Sequence, residues 1–361
     1  MVKRKAALSV GIALASQLAG NVAHAQSSVQ LFGIVDSGLT YVSNVGGHSK
    51  LAATDGIQRS NIWGVQGTED LGGGRQAIFR LENYFVLNTG AIAGSAFFTD
   101  TYVGLRDSQF GQLTFGRQYD FGANLVRYLA CLECGIYSVQ NGDLDRAAGD
   151  HLSNTVQYKS LNYGGLTFGA MYGFGQNATG STNLGRSYSF LIQYERGPFS
   201  GAVMTTNING SPVSTTTIGA PVFLGVDTSK ASTVYADQRR IYGAGASYKF
   251  GSVTAMAMYT NTRFTLQEQR STDQVVRAGI TYLAQPDILF SIMMAYDKLD
   301  DSHWYSSYAS ASYLLSKRTR VYVDVAYQKA TGAGTVASIS QIGRSSTNKQ
   351  GLGRVGLIHN F

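Results

Sequence analysis

The feature that most constrains this chain is a two-residue alternation that recurs along nearly its whole length. Between 320 and 328, Val321, Val323, Val325 and Tyr327 share one side, while Arg320, Tyr322, Asp324 and Gln328 share the other. Leu166, Phe168, Ala170, Tyr172 and Phe174 are set against Thr167, Gly169, Met171 and Gly173 in the same way. Further apolar faces are Tyr188, Phe190, Ile192, Tyr194, then Tyr242 to Phe250, and then Ile288 to Tyr296. Successive strand residues point to opposite faces, so each segment is a strand with one apolar and one small or polar side. Sixteen such segments begin near residues 29, 57, 75, 97, 111, 152, 164, 187, 198, 241, 252, 274, 286, 303, 318 and 350. Short connections such as Lys249–Ser252 and Ser316–Thr319 alternate with long ones near 43–56, 88–96, 118–151, 176–186, 208–240, 264–273, 299–302 and 331–349. An even strand number, with tight turns at one end and longer loops at the other, is the plan of a closed barrel in a membrane. A soluble β-sandwich also alternates, but its second face does not stay small and polar over sixteen strands. The expected fold is all-β, a sixteen-stranded antiparallel transmembrane β-barrel.

Composition agrees. After residue 25 no apolar run approaches the ~20 residues of a spanning helix. Only 4 prolines interrupt a chain with 43 glycines, 22 tyrosines and 17 phenylalanines, which suits an extended aromatic-rich sheet. Charged residues are 14%, against ~25% in ordinary soluble domains, as expected of a surface that faces lipid. The start reads as an export signal: basic Lys3, Arg4 and Lys5, a mostly apolar Ala6 to Ala19, and a cleavage site at Ala23-His24-Ala25. Residues 1–25 are therefore expected to be removed, leaving 26–361 as one barrel domain. The net charge then falls from +7 to +4, so the basicity does not point to nucleic acid.

Eight-stranded barrels fill themselves with side chains, whereas sixteen strands leave an aqueous channel. The inward parity carries Asp36, Arg80, Glu82, Tyr84, Arg106, Lys159, Arg277, Arg320, Asp324 and Arg354, a mixed-sign lining that wets a pore. The last strand sets Val355, Leu357 and Phe361 on one face, and Phe361 is expected to close the barrel within an interfacial aromatic girdle.

The chain resembles the trimeric outer-membrane porins of the neisserial and β-proteobacterial type. The resemblance rests on Ser27–Asp36 (SSVQLFGIVD), Gly67–Gly74 (GTEDLGGG), Tyr102–Leu105 (YVGL), Gly111–Gln118 (GQLTFGRQ), Tyr313–Thr319 (YLLSKRT) and Val355–Phe361 (VGLIHNF). It implies passive diffusion of small hydrophilic solutes and ions through the outer membrane of a Gram-negative bacterium, a homotrimer among outer-membrane lipids, and a third long loop folded into the lumen as a constriction.

That loop, about Arg117 to His151, carries Asp120, Glu133, Asp143, Asp145 and Asp150 beside Arg127 and Arg146. With Arg80, Glu82, Arg106, Lys159 and Arg354 on the wall, these are the expected pore-lining and constriction residues, together with His151. An acidic loop facing a basic wall sets a transverse field that biases ion passage. Where relatives often place lumenal arginines, this chain has Ile62, Thr99, His151 and Ile358. Weak selectivity with a slight anion preference is the expectation.

Cys131-Leu-Glu-Cys134 sits in the same loop, and in an oxidising compartment it suits a local disulfide; free thiols and a metal or redox pair are the alternatives. Beyond residue 25 the histidines His48, His151, His303 and His359 are scattered, and no catalytic, cofactor or metal motif stands out. An outer-membrane enzyme would need a nucleophile and a base that meet. Two other readings remain: a solute-specific porin using Tyr119, Tyr128 and Tyr137, and a receptor or adhesin barrel acting through 208–240 and 331–349.

Overall fold

The computed structural model describes residues 27–97, 99–129, 131–175 and 183–361. The export segment expected at 1–25 lies outside them, as does 176–182 of one long connection. Sixteen antiparallel strands form the barrel: Ser28–Val45, Ile62–Gly72, Arg75–Val86, Thr101–Asp107, Gly111–Tyr119, His151–Lys159, Leu166–Gly173, Ser187–Arg196, Phe199–Ser214, Thr233–Phe250, Val253–Leu266, Gln269–Gln285, Ile288–Leu299, Ser302–Leu314, Thr319–Thr331 and Lys349–Asn360. Each pairs with the next, and Lys349–Asn360 returns to Ser28–Val45 with Asn360 opposite Ile34 and Leu352 opposite Val42. Gly33 and Phe361 complete the seam by exchanging backbone bonds of 3.1 and 3.0 Å. None of these sixteen strands is left as an open edge, as hydrocarbon surroundings require.

The side chains partition as the alternation demands. Ile192, Val203, Ile292, Val323, Val325, Val355 and Leu357 are exposed on the outside. Tyr194, Phe199, Tyr248, Phe250, Tyr282 and Tyr313 line the short-turn end of that apolar surface.

Several connections differ from expectation. The stretch 43–56 is mostly strand: Gly46 and Gly47 take positive φ, and His48–Asp55 folds back on Ser28–Val45. The second barrel strand consequently starts at Ile62, and the preceding Ile57 and Gln58 turn inward and are buried. Strands also run deep into 208–240, because pairing resumes at Ser211 after the irregular Gly210. The true loop there is 215–232. The expected loops at 264–273 and 299–302 contract to two-residue turns whose Gln267 and Asp300 take positive φ without a glycine to announce it.

The core lies inside the barrel, between the wall and in-folded loops. Phe121, Leu125 and Tyr128 pack on Met171, Leu191, Met204 and Ile241. Cys131, Cys134 and Tyr137 pack with Ile57, Met293 and Tyr308. Nearer the long-loop end, Ile218, Phe223 and Ala337 join Phe264 and Trp304.

Candidate pore constriction

The third long loop leaves the wall at Tyr119 and returns at His151. Its first 3-10 segment, Phe121–Tyr128, runs along the inner face of Phe199–Ser214 and Thr233–Phe250. The wall makes room by lacking side chains: a Cβ at Gly243 would lie 2.3 Å from Leu125 and one at Gly245 2.6 Å from Tyr128. The second segment, Leu132–Ser138, crosses to Ser302–Leu314 and Thr319–Thr331. Here Gly135, at φ +57, approaches the in-turned 57–58 backbone, and the Ile136 amide donates to the Ile57 carbonyl at 2.8 Å. Cys131 and Cys134 form a disulfide, Cα atoms 5.3 Å apart, and both are buried.

Every acid the sequence singled out on this loop has a partner. Asp145 meets Arg277 at 2.7 Å with both side chains out of solvent, and Thr260 adds a hydroxyl at 2.6 Å. Glu133 pairs with Arg320, and Asp150 with Arg239. Arg146 bridges Asp143 at 2.8 Å and Asp150 at 3.0 Å. Asp120 ties the two ends of the loop, accepting from the Asp150 amide at 2.9 Å and from the Thr206 hydroxyl. Burial raises the Asp120 and Asp143 carboxyls to about 6. Burial also pushes Asp150 upward, but Arg146 and Arg239 outweigh it and its pKa is lowered. Arg127 pairs with Glu195 in a half-exposed contact towards the short-turn end.

The opposite wall is wetter. Arg80 contacts Glu82, lies 3.7 Å from Asp100, donates to Gln66 at 2.7 Å, and stacks 4.2 Å above the Phe32 ring. Lys159 extends over Phe121 at 5.7 Å. Asp100 is raised to about 6, chiefly by burial and then by Glu82, with Arg80 opposing. Tyr84 and Tyr119 share a 2.7 Å hydroxyl contact, and Tyr119 lies on His151, whose Nε2 is 3.9 Å from Asp100. Arg106 lies towards the short turns and binds Gln112. Arg354 is buried at the barrel seam, 3.1 Å from Asp36 and 2.7 Å from the Tyr322 hydroxyl. The four positions without arginine are accounted for: Ile62 and Ile358 bring no charge, Thr99 donates to the Glu82 carbonyl, and His151 packs on Tyr119.

Asp100 and Arg239 were not singled out from sequence. Asp100 sits one residue before a short strand, and Arg239 lies in a stretch where the Gly210 irregularity hides the pairing. Of the three loop tyrosines, Tyr128 and Tyr137 are buried against the wall, bonding Ser200 and Thr40, and only Tyr119 is partly accessible. The loops 215–232 and 332–348 fold over one end of the barrel, where Trp304 donates to the Val336 carbonyl at 2.9 Å and Ser338 to the Thr217 carbonyl at 2.7 Å. Among the described residues no group of three or more His, Cys, Asp or Glu is placed to hold a metal.

Comparison with known proteins adds relatives to this geometry. A family model described as Gram-negative porin matches residues 7–333. Outer membrane porin protein 32 of Delftia acidovorans is 28% identical over 372 residues, covering 97% of this chain and 99% of that protein. An outer membrane porin protein of Bordetella pertussis is 29% identical over 282 residues, covering 69% of this chain and 68% of its own. Among solved structures, the anion-selective porin from Comamonas acidovorans superposes with a TM-score of 0.79 at 24% identity, over 93% of this chain and all of that one. The trimer form of OmpT of Vibrio cholerae gives 0.68 at 14% identity, over 93% of this chain and 99% of that one.

Proposed function

This chain belongs to the Gram-negative porin family, a non-enzymatic outer-membrane channel, and on that premise we propose that it passes small hydrophilic solutes and ions with a slight preference for anions. One observation carries the preference: Glu133, Asp145 and Asp150 of the in-folded loop each meet a wall arginine, Asp143 meets Arg146, and Asp120 is held by hydrogen bonds, so the loop's acids are largely balanced and the uneven charge lies on the wetter wall. There Arg80, Lys159 and Arg106 stand against Glu82 and Asp100. An excess of one positive charge, partly screened at physiological salt, biases permeation without excluding cations. The preference named for the Comamonas porin is in the same direction.

Reversal potentials in a salt gradient across a planar bilayer test this. A chloride-to-potassium permeability ratio modestly above one is expected, and a strong cation preference overturns the reading. We further propose a homotrimer, which the trimer form of a structural neighbour supports; light scattering of the detergent-solubilised protein measures it directly. Steady single-channel openings separate this function from a receptor whose loops plug the barrel.

A further inference from the structure

The lipid-facing wall carries a feature that conduction does not use. Arg240 and Arg263 stand directly opposite each other on neighbouring strands. Arg240 shares the outward parity of Tyr242, whereas its neighbour Arg239 points inward to Asp150. Arg263 is exposed, its guanidinium 5.9 Å above the Tyr242 ring. Neither has a carboxylate partner among the described residues. Their polar contacts are neutral: Arg240 with Asn207 at 3.4 Å and Gln238 at 3.3 Å, Arg263 with Asn261 at 3.2 Å. Like charges directly opposite on a sheet repel, so an anion bridging the two guanidiniums removes a cost already present.

Their depth identifies the anion's surroundings. From Phe250, near the short turn, to Arg240 is ten residues on one strand. At about 3.3 Å per residue and a tilt of about 40°, this rises about 25 Å, the height of a barrel's apolar band. The pair therefore lies at the headgroup level of the leaflet on the long-loop side. Below it, on the same strands and the same parity, is an outward groove of about 570 Å³. Its floor includes Ala244, and also Ala246, Ala257 and Ala278, which stand in one row across three strands; Ile192 and Tyr259 are among its other lining residues. Small side chains there leave a trough in an otherwise bulky surface.

We propose that this face is a binding seat for a phosphorylated acyl lipid of the outer leaflet, its phosphate bridged by Arg240 and Arg263 and one chain descending into the groove floored by the alanines. Guanidinium forks match phosphate geometry, and a desolvated headgroup region strengthens the contact.

The test is native mass spectrometry of the purified full-length barrel in detergent, titrated with bis-phosphorylated lipid A, with its dephosphorylated form, and with inorganic phosphate. The wild type retains the phosphorylated lipid. The Arg240→Gln/Arg263→Gln double variant, and removal of the lipid's phosphates, each weaken retention at least about tenfold. Ala257→Trp, which fills the groove and keeps both arginines, weakens it comparably. Unchanged bilayer conductance confirms that each variant is folded. Equal retention by the double variant overturns the proposal. So does a full response to the arginines with none to Ala257→Trp, which marks a free-anion site, or a change of oligomeric state in the double variant, which marks an interface between copies.

Discussion

The two sides of the lumen use the same residue types to different ends. Against the wall from Phe199 to Thr331, one pair meets fully out of solvent: Arg277 and Asp145 have no accessible side-chain surface to speak of, at 0% and 1%, whereas Glu133–Arg320 and Asp150–Arg239 are mostly buried. Such a pair is close to neutral in net stability but costs heavily when one partner is removed, so it acts as a latch that fixes the loop. On the side of Arg75–Val86, Arg80 keeps 24% of its side chain exposed and touches two acids and an aromatic face. There the charges remain in reach of water, and their field extends into the lumen. Burial, not residue identity, separates the latch from the field.

The largest effect expected from breaking this contrast is at the latch. Asp145→Ala removes the carboxylate in direct contact with buried Arg277, leaving only the more distant Asp273 and Asp297, and a loss of about 3–5 kcal/mol is expected in chemical unfolding. A looser loop accompanies it, seen as noisier single-channel current. Next comes the glycine seat. Gly245→Ala places a Cβ 2.6 Å from Tyr128, and relief by moving the loop costs about 1–3 kcal/mol. It also changes unit conductance, whereas Gly353→Ala, with nothing within 4 Å, leaves conductance unaltered.

The wet side responds in selectivity rather than stability. Arg80→Ala removes one field charge that is partly screened, about 1 kcal/mol or less, so the permeability ratio shifts a few-fold towards cations while the unfolding midpoint barely moves. If Arg80→Ala instead destabilises the barrel as much as Asp145→Ala, the distinction fails. Smallest is the pH effect. Asp100 titrates at about 6, so it is charged at pH 7 and neutral at pH 5. Lowering the pH removes a negative charge beside Arg80 and raises the anion preference by a modest factor. Because Asp120 and Asp143 also sit near 6, Asp100→Asn is the control. In that variant the part due to Asp100 disappears, and a pH response of undiminished size assigns it to the loop instead.

Much of this architecture was legible in the alternation. Sixteen segments were expected and sixteen strands close the barrel, with Val355, Leu357 and Phe361 outward as their parity requires. Misjudged boundaries share a cause. The tight turns at Gln267 and Asp300 use positive φ without glycine, and the pairing across Gly210 continues through an irregularity that breaks parity. Local sequence signals do not report on partners supplied by a neighbouring strand.

The in-folded loop shows the limit more clearly. Its acids were identifiable, and so were Arg277 and Arg320 as inward residues. Their pairing across sequence separations such as the 132 residues from Asp145 to Arg277 was not, because it depends on where the loop crosses the lumen.

By itself, then, the sequence determined the barrel. A strand's two faces follow from a period of two, and lipid outside with water inside assigns each face without reference to any distant residue. Tertiary structure alone decided which charges act as latches and which as field. That outcome depends on burial, and burial of Asp145 or exposure of Arg80 is produced by a loop crossing to walls far away in the chain. The same reason hid the outward arginine pair: Arg240 and Arg263 are unremarkable in their own segments and become a site only when strand register sets them face to face.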